Sequence, residues 1–142
     1  MKALIFVVAL LLPFSALADR DFANGGYWTV TSVDTKPGMY DAYISDLNQY
    51  WRKSMDALVK DGKILSYQIF SNVNQRSGEP NLWLVTQWKS GAEMLDTSDE
   101  YWDAQTEELF GSIKGGTEAN VKRGDLRTIM STVLMREVSF KD

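Results

Sequence analysis

Within Asn81–Trp102, NLWLVTQWKSGAEMLDTSDEYW, the hydrophobic period changes from two to 3.6, and the rest of the chain reads as partner to this unit. Leu82, Trp83, Leu84 and Val85, flanked by Thr86, Gln87 and Trp88, come after the turn cluster Ser77-Gly78-Glu79-Pro80. Such a run of branched and aromatic residues predicts a strand, here apolar on both faces. Lys89-Ser90-Gly91 then opens a helix. Ser90 is a good N-cap, Glu93 stands three residues on to complete a capping box, and Met94 and Leu95 begin an apolar face.

Upstream, Ile64–Val73 alternates as a strand, with Leu65, Tyr67 and Ile69 on one side and Ile64 and Phe70 on the other. The turn over Asn74–Pro80 joins it to the Asn81–Trp88 strand as a hairpin. Before it, Met39, Tyr40, Tyr43, Ile44, Leu47, Trp51, Met55, Leu58 and Val59 recur at spacings of three and four. Charged and amide side chains fill the opposite side, which predicts an amphipathic helix from Pro37 to Lys60, closed by Gly62 at C′. Tyr27–Val33 is the first strand, with Trp28 and Val30 on one face and Tyr27, Thr29, Thr31 and Val33 on the other.

Downstream, a second helical region covers Ala92–Lys114, with a break allowed at Thr97-Ser98-Asp99 and an end at Gly115-Gly116. A short helix is allowed over Thr117–Arg123. Leu126–Val138 is the last strand, with Ile129, Val133 and Met135 facing one way and Met130, Leu134 and Val138 the other. The order strand, helix, strand, strand, helix, strand predicts an α+β, ferredoxin-like βαββαβ domain with a four-stranded antiparallel sheet. Two main helices cover one face of such a sheet. All four strands carry large apolar residues on both faces, so the expectation is a symmetric homodimer paired sheet to sheet.

The Pro37-Gly38 at the start of the first helix, the hairpin, and Gln87-Trp88-Lys89-Ser90 followed by Ala92-Glu93-Met94 resemble the dimeric α/β-barrel superfamily. Antibiotic-biosynthesis monooxygenase-like and NIPSNAP-like domains belong to it. The resemblance spans Tyr27 to Phe140 in order of elements and implies the barrel dimer. Cofactor-independent oxygenases, haem-degrading enzymes and sugar- and dye-processing enzymes share that fold. The His that haem-binding members use is missing, so no catalytic residue carries over.

Residues 1–18 are expected to be a secretory signal peptide: Lys2, the apolar run Ala3–Leu12, Pro13, and Ala16-Leu17-Ala18 as an A-x-A site. The apolar run is shorter than the ~20 residues of a membrane span. Residues 19–26 read as a polar leader ending in Gly25-Gly26, and residues 27–142 as one domain. The expected location is periplasmic or secreted, with no membrane contact after cleavage.

The chain has no Cys and no His. Disulfides, thiol nucleophiles, imidazole bases and His-ligated metal or haem are therefore excluded, and no cofactor is expected. A net charge of −4 argues against nucleic-acid partners. The acids Glu93, Asp96, Asp99, Glu100, Asp103, Glu107 and Glu108 lack the spacing of a calcium loop and read as a solvated helix face.

Binding candidates are the aromatic residues expected inside and the one cation placed among them: Trp28, Tyr43, Tyr50, Trp51, Trp83 and Arg127. Flat aromatic walls suit a small apolar or aromatic ligand, and Arg127 offers bidentate pairing to a carboxylate. The plainer readings are core packing for the aromatic residues and a surface salt bridge for Arg127. Three functions share these patterns: an exported homodimeric binding protein, a cofactor-independent monooxygenase or isomerase, and a structural or protein-interaction module.

Overall fold

The computed structural model describes residues 20–141, so the expected signal peptide lies outside the described residues. The domain is α+β. Strand β1 spans Phe22–Thr35. Helix α1 (Tyr40–Asp46) continues through a π-helical turn (Leu47–Trp51) into α2 (Arg52–Lys60), and β2 (Ile64–Ser71) and β3 (Leu82–Trp88) come next. Helices α3 (Gly91–Leu95), α4 (Asp99–Phe110) and α5 (Ile113–Arg123) precede β4 (Arg127–Phe140). The sheet is open and antiparallel in the order β2-β3-β1-β4, which is compatible with a ferredoxin-like fold.

The central strand behaves as its composition demands. Leu82, Leu84, Thr86 and Trp88 face the helices, opposite Val33, Thr31, Thr29 and Tyr27 of β1. Val33, Tyr43, Leu47, Leu82 and Leu84 make one buried cluster, and Leu58, Ile64 and Trp88 make a second. The continuous helix from Tyr40 to Lys60 supplies residues to both, so it ties the two halves of the core together. Its end is a Schellman motif: the N–H of Lys63 donates to the carbonyl of Leu58 at 2.9 Å, and that of Gly62 to Val59 at 3.0 Å, with Gly62 at φ +70°.

Several local expectations are corrected, each by a bulge, a turn or a cap. Pro37 does not begin the helix. Pro37-Gly38 occupies the centre of a type II-like turn, with Gly38 at φ +75° and the N–H of Met39 donating to the Lys36 carbonyl at 2.9 Å. The leader expected over residues 19–26 becomes strand from Phe22, which pairs with Phe140, and Gly25-Gly26 form a bulge opposite Glu137. A Cβ on Gly25 would lie 2.9 Å from the Glu137 side chain, so only glycine lets the strand pass there.

Bulges also reset which residues share a face. Leu65 is pushed out of register, which brings Ile64 into the core with Tyr67 instead of setting it beside Phe70. In β4 the register shifts between Ile129 and Ser131, so Ile129 pairs with core-facing Val33 and leaves the face of Val133 and Met135. Gly115-Gly116 do not end a helix. They lie in the first turns of α5, where an added Cβ would meet the Phe110 carbonyl at 2.6 Å and the Thr106 methyl at 2.4 Å. The break falls instead at Gly111 (φ +75°), after which Ser112 caps α5 by accepting from the N–H of Gly115 at 3.0 Å.

Ser90 caps α3 as its sequence suggests, accepting from the N–H of Glu93, and Ser98, within the allowed break, caps α4 by accepting from the N–H of Tyr101. The second half of the capping box is not made. The Glu93 carboxylate accepts from Lys63 Nζ at 3.1 Å instead, because β2 brings that ammonium alongside.

Candidate functional site

The π-helical turn sets the geometry of a groove whose walls are mainly apolar. Between it and β2 lies an open groove of about 510 Å³. Ile44, Leu47 and Trp51 form the helical wall, and Tyr67 and Ile69 form the strand wall. Trp51 meets Tyr67 edge to face, with ring centroids 5.3 Å apart. A π-turn adds a residue to the helical repeat and rotates the next turn of helix, so Leu47 points into the core while Trp51 closes the groove's end.

Polar groups in the groove come from Ser45, Asn48, Arg52 and Gln68. Arg52 donates to Asn48 Oδ1 at 3.0 Å and lies 3.7 Å from the Asp56 carboxylate. The Tyr67 hydroxyl donates to Asp56 Oδ1 at 2.5 Å, and this bond holds its pKa above the ordinary tyrosine value. The edge chemistry is thus one guanidinium beside a carboxylate that accepts from Tyr67 and forms an exposed ion pair with Arg52.

The six candidate residues fall in four places. Trp51 lines the groove. Trp28 and Trp83 sit on the opposite face of the sheet, the one no helix covers among the described residues, because they alternate with core-facing Tyr27, Thr29, Leu82 and Leu84. Tyr43 is buried in the first cluster, where burial raises its pKa against the lowering effect of Arg127. Arg127 lies over its ring at 5.9 Å. That pair is on the β4 side of the core, three strand spacings or roughly 14 Å from β2.

Arg127 makes no salt bridge to the second helical region. It reaches Asn120 of α5 at 3.4 Å, and its Nε has no hydrogen-bond partner among the described residues. Tyr50 stacks on Phe110 at 4.8 Å, and the Arg123 guanidinium lies 5.4 Å from the Tyr50 ring while pairing with Asp46 at 2.6 Å. This clamp, only about one-fifth exposed, joins the first helix to α5 and is structural. Ile44, Asn48, Arg52 and Ile69 were not among the sequence candidates, since the groove exists only because β2 is an edge strand.

The acids of α3 and α4 are dispersed. Asp96, Asp99, Glu100, Asp103, Glu107 and Glu108 face solvent. Among the described residues no group of three or more is arranged to hold a metal ion, and no helix is long and apolar enough to cross a membrane.

A third tyrosine gives a pH signature. Burial, reinforced by donation to Asp61 Oδ2 at 2.7 Å, pushes the Tyr101 pKa up to about 12 from an ordinary 10.0. The folded state keeps this proton longer than the unfolded chain does. The linked stability is therefore complete below about pH 10 and is lost as pH rises towards 12. Ultraviolet titration of Tyr101→Phe should lack the highest-pH phenolate step, and its melting temperature should fall less over that window; an unchanged profile would reject the assignment.

Compared with known proteins, the chain matches no family model and no curated sequence.

Proposed function

We propose that the domain is an exported homodimer that binds a small aromatic or amphipathic molecule in the groove between the π-turn and β2. The observation that carries this reading is the π-turn itself. Such turns weaken the regular helical ladder and concentrate at functional sites, and this one builds the helical wall of the groove. A volume of about 510 Å³ is of the size that suits drug-sized ligands. Its walls are Ile44, Leu47, Trp51, Tyr67 and Ile69, with Arg52 available to an anionic group.

Binding is favoured over proton-transfer catalysis because the nearby Asp56 carboxylate is spent on Tyr67 and Arg52. Export is supported by Lys2, the apolar run Ala3–Leu12 and the Ala16-Leu17-Ala18 site. Dimerisation is supported by the helix-free sheet face. Trp28, Val30, Phe70, Trp83, Val133 and Met135 stand together there, with Phe70, Val133 and Met135 exposed, an apolar patch that a second copy would cover.

The test is a fluorescence titration with anilinonaphthalene sulfonate, an aromatic anion. One saturable site per chain is expected. Ile69→Lys, at an exposed wall position, should weaken it by about tenfold or more without lowering the melting temperature. Equal affinity in the variant would place binding elsewhere.

A further inference from the structure

We infer that the groove selects aromatic monoanions, and that Asp56 sets the degree of selection by competing with the ligand's anionic group for Arg52; this rests on the small-molecule binding proposed above. Asn48, Arg52 and Asp56 follow one another at intervals of four along the helix. Arg52 donates to Asn48 Oδ1 at 3.0 Å, and its Nε lies 3.7 Å from Asp56 Oδ2. Asn48 and Arg52 line the groove, whereas Asp56 stands outside it. Among the lining residues Arg52 alone is charged.

The two oxygens of Asp56 are held unequally. Oδ1 accepts from the Tyr67 hydroxyl at 2.5 Å, whereas the contact of Oδ2 with Arg52 is too long for a hydrogen bond. Both members of the ion pair are more than half exposed, at 62% and 56%, so water and salt screen it. A guanidinium carries five N–H donors, and Arg52 spends one of them, on Asn48, among the described residues. The carboxylate is therefore fixed by Tyr67, while the cation keeps most of its donors for another acceptor.

An aromatic ligand lying against Trp51 and Ile69 brings its anionic group to this guanidinium at the border of an apolar wall. A bidentate, charge-assisted pair formed there is shorter and stronger than the screened contact it replaces. Asp56 keeps its bond to Tyr67 and stays in place. A neutral ring system gains nothing from the exchange, and a second negative charge finds no further cation among the lining residues. Asp56 thus neutralises Arg52 in the free protein and subtracts from the affinity of any anion that takes its place. Its charge is what holds the preference for anions below the value that Arg52 by itself would give.

Two matched probes test this: anilinonaphthalene sulfonate and phenylnaphthylamine, its neutral counterpart without the sulfonate. Each is titrated by fluorescence into the parent chain, Asp56→Asn, Arg52→Gln and the double variant. Both positions are exposed, and asparagine still accepts from Tyr67, so the fold is kept. The ratio of anion to neutral affinity should rise about twofold to fivefold in Asp56→Asn, the scale of one exposed ion pair. It should fall about fivefold or more in Arg52→Gln, and the double variant should match Arg52→Gln. A lower ratio in Asp56→Asn would overturn the competition and make Asp56 a positioning residue for Arg52. A rise of the same size on the Arg52→Gln background would overturn it in favour of direct repulsion between Asp56 and the sulfonate. Saturable binding of both probes, with a ratio that no variant moves, would overturn the selection and leave the groove standing. No saturable binding of either probe would overturn both readings.

Discussion

Leu47→Asp is expected to abolish soluble folding. Leu47 is 4% exposed and packs with Val33, Tyr43, Leu82 and Leu84, so the carboxylate would be buried among apolar groups. An unpaired buried charge costs several kcal/mol beyond the lost packing, against a total stability of about 5–15 kcal/mol for an ordinary domain. Leu47→Ala, which leaves only a cavity, should lower stability by about 2–5 kcal/mol and still give a cooperative transition. Circular dichroism and urea titration separate the two. A normal melting curve for the Asp variant would mean that the π-turn does not direct this side chain inward.

Trp88→Ala should be the costliest truncation in the second cluster. Trp88 ends the central strand, is 9% exposed, and packs with Leu58 and Ile64 while its Nε1 donates to Thr29 Oγ1 at 3.1 Å. Truncating a buried Trp costs about 3–5 kcal/mol, most of it from the cavity and lost transfer energy. Trp88→Phe keeps most of the apolar surface and loses the hydrogen bond, so about 1–2 kcal/mol is expected. Equal losses for the two variants, measured by urea unfolding, would show that the indole N–H and not its bulk carries the contribution.

These two residues were legible because period alone reports them. Leu47 lies on the apolar stripe of an amphipathic helix, and Trp88 alternates in phase with Leu82 and Leu84 along a strand. The strand and helix order was legible for the same reason, as were the caps at Ser90 and Gly62, whose roles depend on neighbours within one turn. What failed was local phase. A single bulged residue inverts every later side chain, and neither Leu65 nor the register shift before Ser131 carries a Gly or Pro to announce it. Gly25-Gly26 and Gly115-Gly116 misled in the opposite sense. They look like chain breaks, yet close approach requires glycine at Gly25, against Glu137, and at Gly115 and Gly116, against Phe110 and Thr106.

The candidate site divides along the same line. Aromatic residue type marks Trp51 in the groove, but it equally marks Trp28 and Trp83 on the far face and Tyr43 in the core. Composition cannot say which wall a ring joins.

By itself, the sequence determined the alternation of elements, the two-sided apolar character of the strands, and the exclusion of thiol and imidazole chemistry. Each comes from residue type and short-range period, which act within a few residues of chain. Only the tertiary structure decided that β2 and β4 are the edges, that a π-turn swings Trp51 over Tyr67, and that a groove opens there. Strand order and helix phase are set by contacts between segments distant along the chain, and no local pattern encodes which strand will be left without a neighbour.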